Sequence, residues 1–126
     1  MINRITTAGI VIKDGKYLVG KRSVGEKTKG LWEFVGGKNR YEETEEETLK
    51  REFIEELGVE IEVGKFLASH EFDNKDVHYL LKAYEVTLLS EEFTLIYHSE
   101  FKYVDEKTLK SLEMVNSDKE IIKKIV

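Results

Sequence analysis

Apolar and β-favouring residues dominate 4–12 (RITTAGIVI) and 16–22 (KYLVGKR), and Lys13-Asp14-Gly15 lies between them. Two such runs around an Asp-Gly pair predict a hairpin. Residues 23–30 are polar and glycine-containing, so they read as a loop. Leu31–Val35 (LWEFV) reads as a short strand ended by Gly36-Gly37. The period then changes to helical over 44–57, where Thr44 with Glu47 three residues on makes a capping box and Gly58 a C-cap. Two long β-like stretches, 59–72 and 76–89, meet at Asp73-Asn74-Lys75, and Phe101–Val104 predicts another strand. Residues 105–112 and 117–125 read as helices, with Asp105 and Ser117 as their caps. The order β-β-β-α-β-β-β-α-α predicts an α/β fold with a mixed sheet and helices against it.

On the 44–57 helix the pattern carries chemistry as well as shape. With Leu49 at zero and 100° per residue, Phe53, Leu57 and Ile54 fall at about 40°, 80° and 140°, an apolar stripe. Glu56, Glu52 and Glu55 fall at about 340°, 300° and 240°, beside that stripe. Neighbours at i,i+3 and i,i+4 of like charge repel. Two readings stay open at this point: a solvated acidic face, or a divalent-cation site, since Mg²⁺ takes a few carboxylates and leaves other positions to water and phosphate.

Charge locates the same segment. The chain of 126 residues has 25 Asp plus Glu against 20 Lys plus Arg, a net −5. Residues 42–60 alone hold nine Glu, with Lys50 and Arg51, a local net of −7, so the remainder sums to +2. A net-negative chain is a poor sequence-independent binder of nucleic-acid polymers. The absence of Cys excludes disulfides, thiolate metal sites and a Cys nucleophile, and fits a reducing compartment, hence an expected cytoplasmic location. No apolar run approaches the roughly 20 residues of a membrane span, so no membrane partner is expected. Hydrophobic content of 40% supports a packed core. No linker or repeat interrupts the chain, which therefore reads as one domain, 1–126.

From Gly37 the sequence runs GKNRYEETEEETLKREFIEELGV. It fits G-x5-E-x7-R-E-U-x-E-E-x-G-U, with Gly37, Glu43, Arg51, Glu52, Glu55, Glu56 and Gly58 in place and Phe53 and Val59 at the bulky apolar positions. This segment, 37–59, resembles the Nudix box of the Nudix hydrolases. GLWEFVGGK upstream is similar to the W-E-F-P-G-G-K segment of the MutT-like branch. The resemblance implies a Nudix-like α/β/α sandwich that holds Mg²⁺, or Mn²⁺, against a nucleoside triphosphate.

Roles follow from the resemblance residue by residue. Glu52, Glu55, Glu56 and the Gly36 carbonyl would ligate metal, with Glu52 also the candidate base. Arg51 would pair with a helix carboxylate, and Glu43 would support the box. Glu100, in His98-Ser99-Glu100, is the candidate far-side ligand, its alternative being an exposed strand-end Glu. His70, His78 and His98 lack metal-site spacing and read as structural or surface residues. Arg22 would reach the nucleotide. Phe34 reads equally as core or as pocket wall. Asp118, with Asn116 as its rival, would read the base, its alternative being a helix N-terminal charge.

Val35 replaces the usual Pro, Glu42 the common Gly, and Asp118 stands where the branch has Asn or Asp. A carboxylate only accepts, whereas an amide does both, which weakens an 8-oxoguanine preference and keeps cytosine nucleotides open. The expected activity is Mg²⁺-dependent hydrolysis of an oxidised or modified (d)NTP to NMP and pyrophosphate, with an alkaline optimum, by a monomer or homodimer. Its rivals are a CTP or modified-dCTP pyrophosphatase, a hydrolase of other diphosphate-linked nucleotides, a silent nucleotide sensor and an acidic protein-interaction domain.

Overall fold

The computed structural model describes residues 3–126. Its elements are β1 (Arg4–Lys13), β2 (Lys16–Arg22), β3 (Trp32–Glu33), α1 (Glu45–Leu57), β4 (Ile61–Asn74), β5 (Val77–Leu88), β6 (His98–Val104), α2 (Glu106–Ser111) and α3 (Asn116–Ile125). The sheet runs β3-β2-β1-β5-β4, with β6 on β2. β1 and β5 are parallel and every other strand pair is antiparallel, so the sheet is mixed. Thr7–Val11 of β1 are buried on both faces, as a central strand between two layers requires. One core packs α2 and α3 through Leu109, Ile121 and Ile122 against Ile10, Val19 and Phe34. The other packs α1 through Leu49, Phe53 and Leu57 against Val11, Val35 and Val86. This is the expected α/β/α sandwich.

Local chemistry explains the joints. Asp14 and Gly15 close the first hairpin with φ of 52° and 75°, the left-handed pair of a type I′ turn. The Thr44 hydroxyl accepts from the Glu47 amide and the Glu47 side chain accepts from the Thr44 amide, while Gly58 ends α1 at φ 71°. Among the described residues no helix is long and apolar enough to cross a membrane.

Several boundaries differ from expectation. The strand expected over Leu31–Val35 splits after Glu33, because the chain leaves β2 and crosses to β1. The Gly9 amide donates to the Val35 carbonyl at 2.7 Å and the Thr7 amide to the Gly37 carbonyl at 2.8 Å. Gly36 is required at this crossing, since a Cβ there would lie 2.1 Å from the Thr7 carbonyl oxygen. The second long hairpin turns at Lys75-Asp76, both at positive φ, one step later than expected. β6 starts at His98, earlier than Phe101. α3 has no side-chain cap, so Ser117 does not cap it. On α1, Ile54 is 46% exposed and Glu56 is buried. At about 340° Glu56 stands closer to Leu49 than Ile54 does at 140°, so the buried arc reaches into the carboxylates.

Candidate active site

A cleft of about 500 Å³ opens between the crossing segment, α1 and the start of α3. Its acidic end is lined by Gly36, Gly37, Glu52, Glu55 and Glu56. At Gly37 a Cβ would come within 2.5 Å of the Glu52 carboxyl carbon, so any side chain there would displace the Glu52 carboxylate. Arg51 organises this end. Its Nε donates to Glu43 at 2.7 Å, Nη1 to Glu52 at 2.6 Å and to Glu55 at 3.3 Å. Nη2 donates to the Lys38 carbonyl and to Glu43, both at 3.0 Å. Glu43 also accepts from the Thr48 hydroxyl and the Arg40 amide. The Arg51 hydrogen bond, reinforced by those donors, pulls the Glu43 carboxyl down to about 2. The same contacts raise the guanidinium pKa further above its ordinary value.

Glu56 goes the other way. Burial, then the hydrogen bond to Glu52 and the charges of Glu33 and Glu52, push its carboxyl well above the usual carboxylate range, with the Gly36 amide opposing. The end of the cleft thus holds oxygens of three box carboxylates crowded together, with Arg51 turned mainly to Glu43 and Glu52.

The other end is apolar. Ala8, Phe34, Phe72 and Leu81 line it, together with Asp118. Asp118 is 6% exposed, and its Oδ2 accepts from the Phe34 amide at 2.9 Å. Burial raises its carboxyl to about 7, helped by the Glu33 charge and opposed by the Phe34 amide.

Residues 3–125 match the NUDIX domain family. The chain belongs to the family of the Nudix hydrolases. The CTP pyrophosphohydrolase of Escherichia coli strain K12 is 45% identical over 64 residues, 51% of this chain and 47% of that protein, so the match spans about half of that relative's length. A putative 8-oxo-dGTP diphosphatase 2 of Mycobacterium tuberculosis is 32% identical over 126 residues, covering 94% of this chain and 85% of that one. The solution structure of the E. coli ORF135 protein superposes with a TM-score of 0.89 at 28% identity, covering 98% of this chain and 89% of that chain.

Within this Nudix fold, the box residues expected at the site meet at one end of the cleft, and Phe34 and Asp118 at the other. Phe34 fills both of its readings: it lines the cleft and belongs to the core. Arg22 lines the cleft with Nη1 at 3.1 Å from both Glu33 oxygens and Nε at 2.9 Å from the Thr28 hydroxyl. Asn116 is exposed and lies outside the cleft lining, whereas Ser117 and Asp118 are part of it. Glu100 is exposed and stands opposite Lys21 in the β2–β6 register. Gly20 opposite Phe101 turns the other way from the Lys21–Glu100 pair, and the register shift between Lys21 and Arg22 brings His98 to the Phe101 side, where both rings face Gly20; Glu100 therefore lies on the opposite face.

Two polar residues come in from outside the box. Glu33 lines the cleft, and His98, 3% exposed, reaches it with Nε2 at 2.8 Å from Glu33. His98 is structural in burial, yet it stands at the site. The available signal for Glu33 is a lone carboxylate set between two aromatics, Trp32 and Phe34, in a segment that reads as a strand. Nothing in the local pattern marks His98, Phe72 or Leu81, because topology alone delivers them.

Proposed function

We propose that this Nudix protein is a nucleoside triphosphate pyrophosphohydrolase, releasing NMP and pyrophosphate. The observation that carries the reading is the cleft's division into a carboxylate end and an aromatic end with one buried polar reader. Glu52, Glu55, Glu56 and the Gly36 carbonyl are the ligands for Mg²⁺ or Mn²⁺, and an all-oxygen donor set fits such hard cations. Bound there, the metal supplies neutralisation of phosphate charge and a more acidic bound water. Glu52 would orient the attacking water and accept its proton. Arg51, held by Glu43, keeps Glu52 in place against Gly37. Phe34, Phe72 and Leu81 take the base, and Arg22 faces the nucleotide.

Asp118 gives the substrate question a physical form. As a carboxylate it only accepts, which suits the amino edge of cytosine. With its carboxyl near 7, a fraction is protonated at neutral pH and also donates, as an amide would. The cytosine reading is supported by the similarity to the CTP pyrophosphohydrolase, and the oxidised-guanine reading by the relative named 8-oxo-dGTP diphosphatase. Pyrophosphate release from a panel of standard, oxidised and methylated nucleotides, with Mg²⁺ and with EDTA, tests the proposal. Turnover that depends on metal and favours one base supports it. Full turnover in EDTA overturns it, and uniformly poor kcat/KM across the panel moves the substrate to other diphosphate-linked nucleotides.

A further inference from the structure

Glu33 on β3, Glu56 on α1 and His98 on β6 each bring one ligand-type atom within 4.8 Å of the other two. Two oxygens of one dication stand about 4–5 Å apart at most, given metal–oxygen distances of about 2.0–2.6 Å. The pair Glu33–Glu56 therefore already approaches the spacing of a shared ion. Among the described residues, no cationic side chain comes closer to the Glu56 carboxylate than His98 Nε2, at 3.8 Å. The Gly36 amide and the like-charged Glu52 are its other polar neighbours, and the side chain is only 9% exposed. A carboxyl this buried, with no nearer cationic partner, ionises readily only when a bound cation compensates its charge.

We infer that Glu33 is a fourth carboxylate of the metal centre, sharing one ion with Glu56, and that His98 and Arg22 hold it in that orientation. The inference rests on the Nudix reading of the box and moves the extra ligand from Glu100 to Glu33. A carboxylate has about four acceptor sites. Arg22 Nη1 occupies one on each Glu33 oxygen, and His98 occupies a second on Oε2. One site on Oε1 is left for a metal. Ligating carboxylates are commonly fixed in this way by hydrogen bonds from behind.

His98 itself is a positioning residue. Its Nδ1 is buried and, among the described residues, has no hydrogen-bond partner. A metal-bound imidazole passes its other N–H to an acceptor, and none is present here. The proton therefore belongs on Nε2, where it is donated to Glu33. Gly20 makes room for this arrangement, since a Cβ there would lie 2.8 Å from the His98 ring and 2.5 Å from that of Phe101.

Mn²⁺ binding to the metal-free full chain, followed by the EPR signal of free Mn²⁺, tests the inference without reference to turnover. Glu33→Gln should weaken binding at least tenfold, the scale of a disturbed metal shell. Glu100→Gln should leave it unchanged. His98→Leu should weaken it, and His98→Gln, whose amide can still donate, should restore it. Should Glu33→Gln melt before metal is added, Glu33→Asp serves in its place, keeping the charge but withdrawing the oxygens. Unchanged affinity in the Glu33 variants with loss in Glu52→Gln overturns the inference and leaves the box reading standing. Unchanged affinity in Glu52→Gln as well overturns both. Pulsed EPR of the unaltered chain should show no directly bound nitrogen; such a coupling would make His98 a ligand and overturn its positioning role.

Discussion

The two ends of the cleft handle charge in opposite ways. At the box end, carboxylates crowd one helix face, and Arg51 ties Glu43, Glu52 and Glu55 into one network. At the apolar end Asp118 lies among apolar groups with one backbone donor. The first arrangement is built to receive positive charge. The second makes a carboxyl sensitive to pH near neutrality. The difference also predicts what a mutation facing the cleft should change: turnover at one end, preference and the pH dependence of stability near neutrality at the other.

The largest effect should come from Glu52→Gln. It keeps the shape beside Gly37 but removes the proton acceptor. A general base contributes roughly 10²–10⁴-fold, so kcat should fall about a thousandfold in a pyrophosphate-release assay. The melting temperature should hold, because Arg51 keeps Glu43, Glu55 and the Lys38 carbonyl as partners. Retained turnover would place the base elsewhere and break the contrast at its strongest point.

Asp118→Asn tests the other end. The folded carboxyl titrates near 7 against an ordinary value near 4, so the folded state binds the proton more tightly than the unfolded one. Stability therefore falls as pH rises from about 4 to 7 and stays reduced above it, by a penalty on the order of a few kcal/mol. The amide removes that slope. Melting curves of the two chains should converge near pH 4 and separate at pH 8, with the Asp118→Asn chain the more stable. Preference between oxidised-guanine and cytosine substrates should shift by roughly 10- to 200-fold, the range of one pocket contact, and the pH dependence of that preference should disappear. Parallel melting curves would mean that Asp118 is solvated in the folded chain.

How well each end can be read from sequence follows from the same contrast. The box lies on one helix and its flanking turns, so spacing at 100° per residue is enough to group Glu52, Glu55 and Glu56. Thr44, Glu47 and Gly58 mark the helix ends by local rules. The period also misjudges Ile54, because an arc drawn by hydrophobicity alone leaves out the buried Glu56. The apolar end joins residues from β1, β4, β5, the crossing segment and α3, far apart in the chain. Asp118 and Phe34 enter only through the resemblance, and Phe72 and Leu81 not at all. Glu100 is suggested by the resemblance, as a ligand from beyond the box, but its register position sets it on the face opposite Phe101. The pairing register of β2 with β6, absent from any linear pattern, decides that.

A smaller effect is expected from Glu43→Gln. Glu43 sits below its ordinary range, at about 2, so its contribution is complete above about pH 4.5 and is lost as pH falls towards 2. Hydrogen bonds to charged groups contribute about 1.5–3 kcal/mol, and urea titration at pH 7 should show a loss in that range. At pH 2.5 the two chains should be nearly equal. A loss that persisted undiminished at acid pH would mean that Glu43 acts through packing and that the box network is not held by charge.

The smallest effect concerns the acidic residues that the box does not use. Glu45 pairs with Lys82 at 2.8 Å, and Glu47 completes the capping box of α1. Glu46 reaches only Lys50, at 3.0 Å, with side chains 58% and 50% exposed. Exposed i,i+4 pairs contribute about 0.3–0.5 kcal/mol, so Glu46→Ala should cost under about 0.5 kcal/mol, while Glu47→Ala should cost about 1 kcal/mol through the lost cap. Neither should change the Mn²⁺ affinity at about 0.15 M salt, where charges more than about 8 Å apart are screened. Should Glu46→Ala weaken Mn²⁺ binding as Glu33→Gln is expected to, the −7 segment would act as a single diffuse field. The division of its carboxylates into ligands, supports and solvated residues would then fail.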